Sequence, residues 1–326
     1  MKTGYVALIG RPNVGKSTLL NSLLGEKVAI ISDKPQTTRV SILGVKTTPA
    51  GQIIFIDNPG IHKPLHTLNR RMMNFVYSAL QTADLLCLLI DATEKYGHGD
   101  EFVVETLRKV TTPLFLLINK VDIIKKEKVL TIIDRYKDLL PFREIIPISA
   151  LKGTNLDTLE QLIYQVLPEA AKLYADDMVT NQTLRFQLAE IIREKLLLRV
   201  KEELPFVTAV LIDAMEERPQ REERTEAPGS PLDLAGTHPD AAGFKPGKKE
   251  KERKVTAISA SIFVERDSHR GIVIGRQGRV IKEIGIEARR EIEKVLASRI
   301  YLDLKVKVRK RWRDSADVLD LIEGQR

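Results

Sequence analysis

Five short apolar runs constrain this chain more than any other feature. "YVALIG" (5–10), "QIIFID" (52–57), "DLLCLLID" (84–91), "PLFLLINK" (113–120) and "EIIPISA" (144–150) are rich in Val, Ile and Leu, and each gives way to a helically spaced segment or a polar loop. A strand that is apolar on both faces has to be covered on both faces. The pattern therefore predicts an α/β domain with a mixed, mainly parallel sheet and helices on either side. In such sheets the working residues gather in loops at the carboxyl ends of the strands, and the polar motifs of this sequence fall there.

The strand–helix rhythm stops at "EAAKLYADDMVTNQT" (169–183). The first domain is therefore placed at 1–170, a linker at 171–182, a second domain at 183–313 and a tail at 314–326. The second domain opens with a long amphipathic helical pattern, "LRFQLAEIIREKLLLRV", followed by two β-patterned runs, "FVTAVLIDAMEE" and "KVTAISASIFVER". Between these runs, residues 218–253 are rich in Pro, Gly and charge with few large apolar residues, so the segment is predicted to be a disordered insertion at a hairpin tip, with a recognition arm as the alternative. A glycine turn, a helix to about Ser298, a strand "YLDLKVKVR" and a helical tail complete the pattern.

At 326 residues and 43% hydrophobic, the chain is long enough for two cores. Its one cysteine, Cys87, excludes an internal disulfide and fits a reducing cytosol, and its apolar setting reads as a buried hydrophobe. No leader peptide is expected before the first strand, and no apolar stretch reaches the ~20 residues of a membrane span. The expected location is cytoplasmic. Charge is unevenly spread: residues 266–313 hold 15 Lys/Arg against 6 Asp/Glu, a net +9 against +8 for the whole chain. Only the second domain is therefore set up to meet a polyanion.

"GRPNVGKST" (Gly10, Arg11, Pro12, Asn13, Val14, Gly15, Lys16, Ser17, Thr18) fits G-x-x-x-x-G-K-[ST] between a strand and a helix. Its glycines turn backbone N–H groups toward nucleotide phosphates, Lys16 adds charge, and Ser17 can ligate Mg²⁺. "DNPG" with its next residue (Asp57, Asn58, Pro59, Gly60, Ile61) ends a strand with a carboxylate for Mg²⁺ through a water, and Gly60 offers its N–H to the γ-phosphate. "NKVD" (Asn119, Lys120, Val121, Asp122) ends another strand. Asp122 can accept from guanine N1–H and its exocyclic amine, which adenine lacks on that edge, while Asn119 and Lys120 brace the base and the phosphate loop. "SAL" (Ser149, Ala150, Leu151) offers the Ala150 N–H to guanine O6. "PQTTR" (35–39) supplies the switch threonine: Thr38 is the expected Mg²⁺ ligand, with Thr37 as the alternative.

Together these motifs resemble those of the translation-factor-related GTPases, and "DNPGIHKP" (57–64) is close to the Era-family version. The resemblance implies a slow GTPase that cycles between GTP and GDP. Ras-like enzymes place a water-orienting glutamine after Asp-x-x-Gly. Here that residue is Ile61, so catalysis falls to Lys16, Thr38, the Gly60 N–H, Mg²⁺, a further cation or a partner. In similar GTPases an asparagine at the position of Asn13 helps hold K⁺, and this role is carried over as an expectation.

"GRQG" (Gly275, Arg276, Gln277, Gly278) poses a separate question. It lacks the βαβ context of a dinucleotide fingerprint. It fits the GxxG turn of a type II KH domain, which clamps unpaired RNA backbone. Arg276, Gln277, Arg279 and Lys282 offer donors to phosphates, while Ile272, Ile274 and Ile281 offer an apolar floor. "VKVRKRWR" (306–313) extends the basic footprint; Trp312 could stack a base, though packing of the tail is the stronger reading. A GTPase followed by this domain resembles the Era family along essentially the whole chain. That implies binding near the 3′ end of small-subunit (16S) ribosomal RNA and a role in 30S subunit assembly, as a monomer. The alternative is a signalling GTPase held peripherally at the inner face of the membrane by its basic domain.

Overall fold

The computed structural model describes residues 1–219 and 254–325. The first domain runs β1 (Lys2–Gly10), α1 (Lys16–Leu24), β2 (Ile42–Thr48), β3 (Gly51–Asp57), α2 (Thr67–Thr82), β4 (Leu85–Asp91), α3 (His98–Leu107), β5 (Leu114–Asn119), α4 (Lys126–Tyr136), β6 (Phe142–Pro147) and α5 (Leu156–Val166). Its strands lie in the order β2-β3-β1-β4-β5-β6, and only β2 is antiparallel to its neighbour. The double-sided apolar strands are explained by two cores. Val6 and Leu8 enter the cluster under α1 and α5, whereas Ala7 and Ile9 enter the one under α2 and α3. Each such Leu or Ile contributes roughly 1.5–3 kcal/mol by burial. Register then aligns the motifs at one sheet edge, with Leu8 opposite Asp57 and Asp91 opposite Asn119.

β2 was hidden in a segment that reads as polar. As an edge strand it needs only one buried face, and its pattern "ILGVKTT" is short and interrupted by Gly44. Its free edge is covered by the linker: the Val45 N–H donates to Val179 O at 2.8 Å, and Thr180 Oγ1 donates to Leu43 O at 2.8 Å. Such cover prevents edge-to-edge pairing with other chains.

The second domain runs α6 (Leu184–Arg199), α7 (Leu204–Val207), β7 (Ala209–Pro219), β8 (Lys254–Val264), α8 (Asp267–Ile274), α9 (Arg279–Val295), β9 (Ile300–Val308) and α10 (Ala316–Gly324). β7 pairs antiparallel with β8, which pairs parallel with β9. The inserted segment predicted at 218–253 begins at the last β7–β8 pairs, and residues 220–253 lie outside the described residues. α9 buries Ile284, Ala288 and Ile292, a stripe at i, i+4 and i+8, against this sheet.

Two expectations change. α6 is not simply amphipathic: Phe186 joins the first domain's core, Leu188, Ile192 and Leu196 join the second's, and even Arg193 and Glu194 are buried. The helix is an interdomain spacer, which demands cover on several faces. The tail also belongs to the fold, because Val318 and Leu319 of α10 pack with Trp312, Phe263 and the α2 residues Leu68 and Met72. Trp312 is fully buried with Nε1 donating to Val207 O at 2.8 Å, so it is a packing residue and no stacking platform.

Candidate nucleotide site and nucleic-acid groove

The loop between β1 and α1 is built on backbone that side chains resist. Gly10 has φ +142° and Gly15 φ +98°, and a Cβ at Gly15 would lie 2.3 Å from Asn119 Nδ2. Glycine is the residue that fits. Lys16 Nζ curls back to Arg11 O at 2.8 Å and Gly10 O at 3.3 Å, and burial pulls its pKa down to about 8 against the opposing charge of Asp57. The Arg11 side chain points away, pairing with Asp100 at 2.9 Å, so only its backbone belongs to the phosphate loop.

Three oxygens converge beside Lys16. Ser17 Oγ donates to Asp57 Oδ2 at 2.6 Å and lies 3.0 Å from Thr38 Oγ1, which is 3.4 Å from Asp57 Oδ2. Neighbouring oxygens in an octahedral Mg²⁺ shell, at about 2.1 Å from the ion, are spaced about 3 Å apart. The 3.0 Å between Ser17 Oγ and Thr38 Oγ1 matches two neighbouring ligands, and the adjoining Asp57 carboxylate can act through a water, so the donor set fits this ion. Burial pushes the Asp57 carboxyl up to about 6 against the pull of Lys16, Ser17 and Thr38. Its buried Oδ1 has no partner among the described residues. The two candidate threonines separate cleanly, since Thr37 Oγ1 instead donates to Lys34 O at 2.6 Å.

Around this centre a cavity of about 480 Å³ is lined by Asn13, Lys16, Ser17, Thr18, Gln36, Thr38, Gly60 and Lys120 among others. Asn13 Nδ2 reaches across to Asp33 O at 2.6 Å. Gly60 presses on the phosphate loop, where a Cβ would lie 2.6 Å from Pro12 N, and the Ile61 N–H donates to Gly10 O at 2.9 Å. The Ile61 side chain is buried in the core under α2. Asn58 is also turned inward, accepting from Ser41 Oγ at 2.7 Å and donating to Ile56 O, so its side chain supports the switch and does not contact nucleotide. Sequence reasoning missed a relay beyond Gly60. His62 Nδ1 meets Gly60 O at 2.6 Å, and Asn69 Nδ2 meets both His62 Nε2 and Gln36 Oε1. It joins two switch segments through α2 and leaves no local pattern.

On the base side, Asn119 is buried, donating Nδ2 to Val14 O at 2.8 Å and accepting from the Ala150 N–H at 2.9 Å. The Ala150 N–H, the donor expected for guanine O6, thus meets the Asn119 side chain in this structure. Ser149 Oγ accepts from the Lys152 N–H and holds the turn, from which Leu151 projects exposed. Lys120, at φ +66°, pairs with Asp91, and the Val121 N–H donates to Ile148 O. Asp122 stays exposed.

The second glycine turn stands at the junction of α8 and α9. Gly275 (φ +75°), Gln277 (φ +51°) and Gly278 (φ +76°) are left-handed, and Arg276, Gln277, Arg279 and Lys282 are exposed. A Cβ at Gly275 would lie 2.5 Å from Val280 Cγ2. Ile272 is exposed and Ile274 half-buried. Next to the turn, a groove of about 330 Å³ lies between α9 (Ile281, Lys282, Gly285, Ile286, Arg289) and β9 (Tyr301, Leu302, Leu304). Gly285, Arg289 and Tyr301 were not foreseen. A glycine facing the alternate residues of a basic strand was the available signal.

Comparisons with known proteins agree with this geometry. Residues 5–120 match the family model described as 50S ribosome-binding GTPase, and residues 244–313 match the KH domain model. GTPase Era of Heliobacterium modesticaldum is 43% identical over 319 residues, covering 98% of this chain and 96% of that protein. A structure of Era with MgGDPNP and nucleotides 1506–1542 of 16S ribosomal RNA superimposes with TM-score 0.85 at 40% identity, covering 99% of this chain and 98% of the other. A point variant of Aquifex aeolicus Era bound to GDP·AlF₄⁻ gives TM-score 0.84 at 39% identity over 99% of both chains. With the phosphate loop, switch threonine and GRQG turn all in place on one chain, this protein belongs to the Era family of GTPases.

Proposed function

We propose that this GTPase acts in assembly of the small ribosomal subunit, clamping single-stranded 16S ribosomal RNA near its 3′ end with the second domain while its nucleotide state sets the affinity. The observation that carries the reading is the exposed GRQG turn that opens α9, one wall of the α9–β9 groove, on the same chain as a nucleotide pocket lined by Thr38. The 16S fragment in the related Era crystal supports the choice of RNA. In this reading Arg276 and Gln277 hold phosphates and Tyr301 offers a face to a base. Crosslinking to total RNA with a GTP analogue and with GDP tests it. Recovery of 16S 3′-terminal sequence, stronger in one state, is the expected result. No ribosomal RNA would sink the assembly role, and equal recovery in both states would remove the switch.

For hydrolysis, Ile61 packs in the core and orients no water, so the chain's own contributions are the Lys16 ammonium, the Gly60 N–H and the Thr38 hydroxyl around the γ-phosphate. Ser17 and Thr38 would hold Mg²⁺ directly and Asp57 through a water, and the ion would supply charge neutralisation to the nucleotide phosphates. A K⁺ contribution rests on the place of Asn13 in the phosphate loop: its Nδ2 donates to the Asp33 carbonyl here, and its Oδ1 is the atom it would offer the ion. Equal turnover in K⁺ and Na⁺, or no response to Asn13→Ala, would remove K⁺. We further propose a cytoplasmic monomer. Among the described residues no helix is long and apolar enough to cross a membrane, and co-sedimentation with anionic vesicles in preference to RNA would favour the peripheral membrane reading.

A further inference from the structure

The segment that carries Thr38 does not stand alone over the nucleotide pocket. The second domain grips it on both sides. Immediately before Thr38, Arg193 of α6 donates Nη2 to Thr37 O while its guanidinium is held by Glu190 at 2.6 and 2.7 Å. Immediately after, Arg39 donates Nη1 to Thr208 O at 2.7 Å and Nη2 to Pro205 O at 2.9 Å, with its carbon 5.5 Å from the Trp312 ring centroid. Further upstream, Glu194 of α6 accepts from the Ile31 N–H at 3.1 Å, and Lys27 bridges Glu194 and Glu291 of α9 at 2.6 and 2.7 Å.

These contacts make poor sense as a stability device. Arg39 and Arg193 are both buried, they repel each other, and Glu190 is the carboxylate that holds one of them. Arg39 Nε and Arg193 Nη1 have no partner among the described residues. Buried charge of this kind is weak support for stability, and its best-attested use is to fix one register against another.

We propose that Arg193 and Arg39 are positioning residues for Thr38, so that the second domain completes the Mg²⁺ site by fixing the residues on either side of its switch ligand. The inference rests on Thr38 as the Mg²⁺ ligand. Thr38 then reaches the metal only while Arg193 and the 205–208 carbonyls are docked. Nucleotide state and domain docking become one equilibrium, with equal coupling in both directions. A GTP-bound site favours docking because it needs Thr38; GDP, without a γ-phosphate, does not.

The test uses the full-length chain and fluorescent GDP and non-hydrolysable GTP analogues, each titrated with Mg²⁺. Arg193→Ala is expected to weaken the GTP analogue by about 5- to 150-fold, the usual range of coupling between sites, to raise its Mg²⁺ requirement, and to leave GDP affinity within about twofold. Arg39→Lys keeps the charge but serves one carbonyl where arginine serves two, so an intermediate loss of discrimination is expected; it also stands in should Arg193→Ala fail to fold. Arg71→Ala, which breaks the 2.6 Å Asp320 contact between α2 and α10 without touching the switch, controls for loosened domains. Its discrimination should match wild type. Hydrogen exchange provides the reverse arm: amides near Thr208 should be better protected with the GTP analogue than with GDP, and Arg193→Ala should abolish that difference. Wild-type discrimination in Arg193→Ala and Arg39→Lys overturns the proposal, as does equal loss of GDP and GTP-analogue affinity. If Thr38→Ala leaves the Mg²⁺ requirement unchanged, the ligand assignment itself has failed; if Thr38→Ala shifts it and Arg193→Ala does not, the positioning role alone has failed.

Discussion

Asn119 and Asp122 lie three residues apart in one guanine-recognition motif, yet their environments predict opposite phenotypes. Asn119 is buried and its amide satisfies two buried backbone groups, Val14 O at 2.8 Å and the Ala150 N–H at 2.9 Å. Asn119→Ala leaves both unpaired, at about 1–3 kcal/mol each. The gap cannot close easily, because the facing residue is Gly15, whose lack of a Cβ is what admits the amide. A loss of about 2–6 kcal/mol follows, or a fall of roughly 4–24 °C in melting temperature at ~2–4 °C per kcal/mol for a domain of this size. Asp122 is exposed, so Asp122→Ala should shift stability by less than about 0.5 kcal/mol while abolishing the preference for guanine. Asp122→Asn should transfer preference to xanthine nucleotides, whose 2-oxo group accepts from an amide. The assay is thermal unfolding without nucleotide, read by circular dichroism, beside nucleotide competition. Equal melting temperatures for Asn119→Ala and Asp122→Ala would refute the bracing argument and return Asn119 to the base.

The remaining predictions concern other parts of the fold. Gly275→Ala should weaken RNA binding and stability more than Gly278→Ala, because Gly278 (φ +76°, ψ 14°) carries the left-handed helical cost of about 1–2 kcal/mol, whereas Gly275 (φ +75°, ψ 174°) lies in a region that is essentially glycine's alone and its Cβ would also meet Val280 at 2.5 Å; a filter-binding series in parallel with melting curves checks the order. Lys16→Met should abolish nucleotide binding, because it removes the buried ammonium beside Asp57 and the donor to the Gly10 and Arg11 carbonyls; titration with a fluorescent nucleotide checks it, and retained affinity would count against the phosphate-cradle account. Burial pushes the Cys87 thiol far up, so the folded state holds this proton more tightly than the unfolded state, and its contribution is present below the unfolded thiol pKa of about 8.5 and lost as pH rises above it. Native Cys87 should resist Ellman's reagent until unfolding, and Cys87→Ala should flatten the alkaline slope of stability.

What could be read from the sequence, and what could not, divides along a physical line. The β1, β3, β4, β5 and β6 strands and the GRPNVGKST and GRQG turns are local: an apolar run or a positive-φ glycine states its requirement within a few residues. The helix–strand order of the second domain was legible for the same reason. β2, the fitted linker and the α10 anchor were not, because each is held by residues far along the chain, as with Val45 on Val179 or Arg71 on Asp320. The site divides in the same way. Asp57 was found at the end of β3, Ser17 in the first turn of α1 and Thr38 in a short loop motif, whereas the contact of the Ala150 N–H with Asn119, 31 residues away, left no local signal.

The two glycine turns are joined by packing rather than by a flexible tether. α6 holds the Thr37 carbonyl through Arg193, and α6 shares a buried core with α9, whose first residue follows GRQG. Leu188, Ile192, Ile284, Ala288 and Ile292 fill that core, and interiors packed this closely shift as bodies and do not bend by degrees. A change at Thr38 therefore cannot reach the RNA turn as a graded strain along the helix. It has to arrive as a displacement of α6 and α9 together, in which Lys27 and Lys195 lose or keep their shared carboxylates, Glu194 and Glu291. Those four side chains bind the switch and both helices into one unit. Charge reversal at Glu291 would cut the Lys27 and Lys195 links to α9 while leaving the α6–α9 core and the α6 grip on Thr37 intact, so RNA affinity measured with the GTP analogue and with GDP should still differ as in wild type, and its uncoupling by this one change would refute the packed-body account.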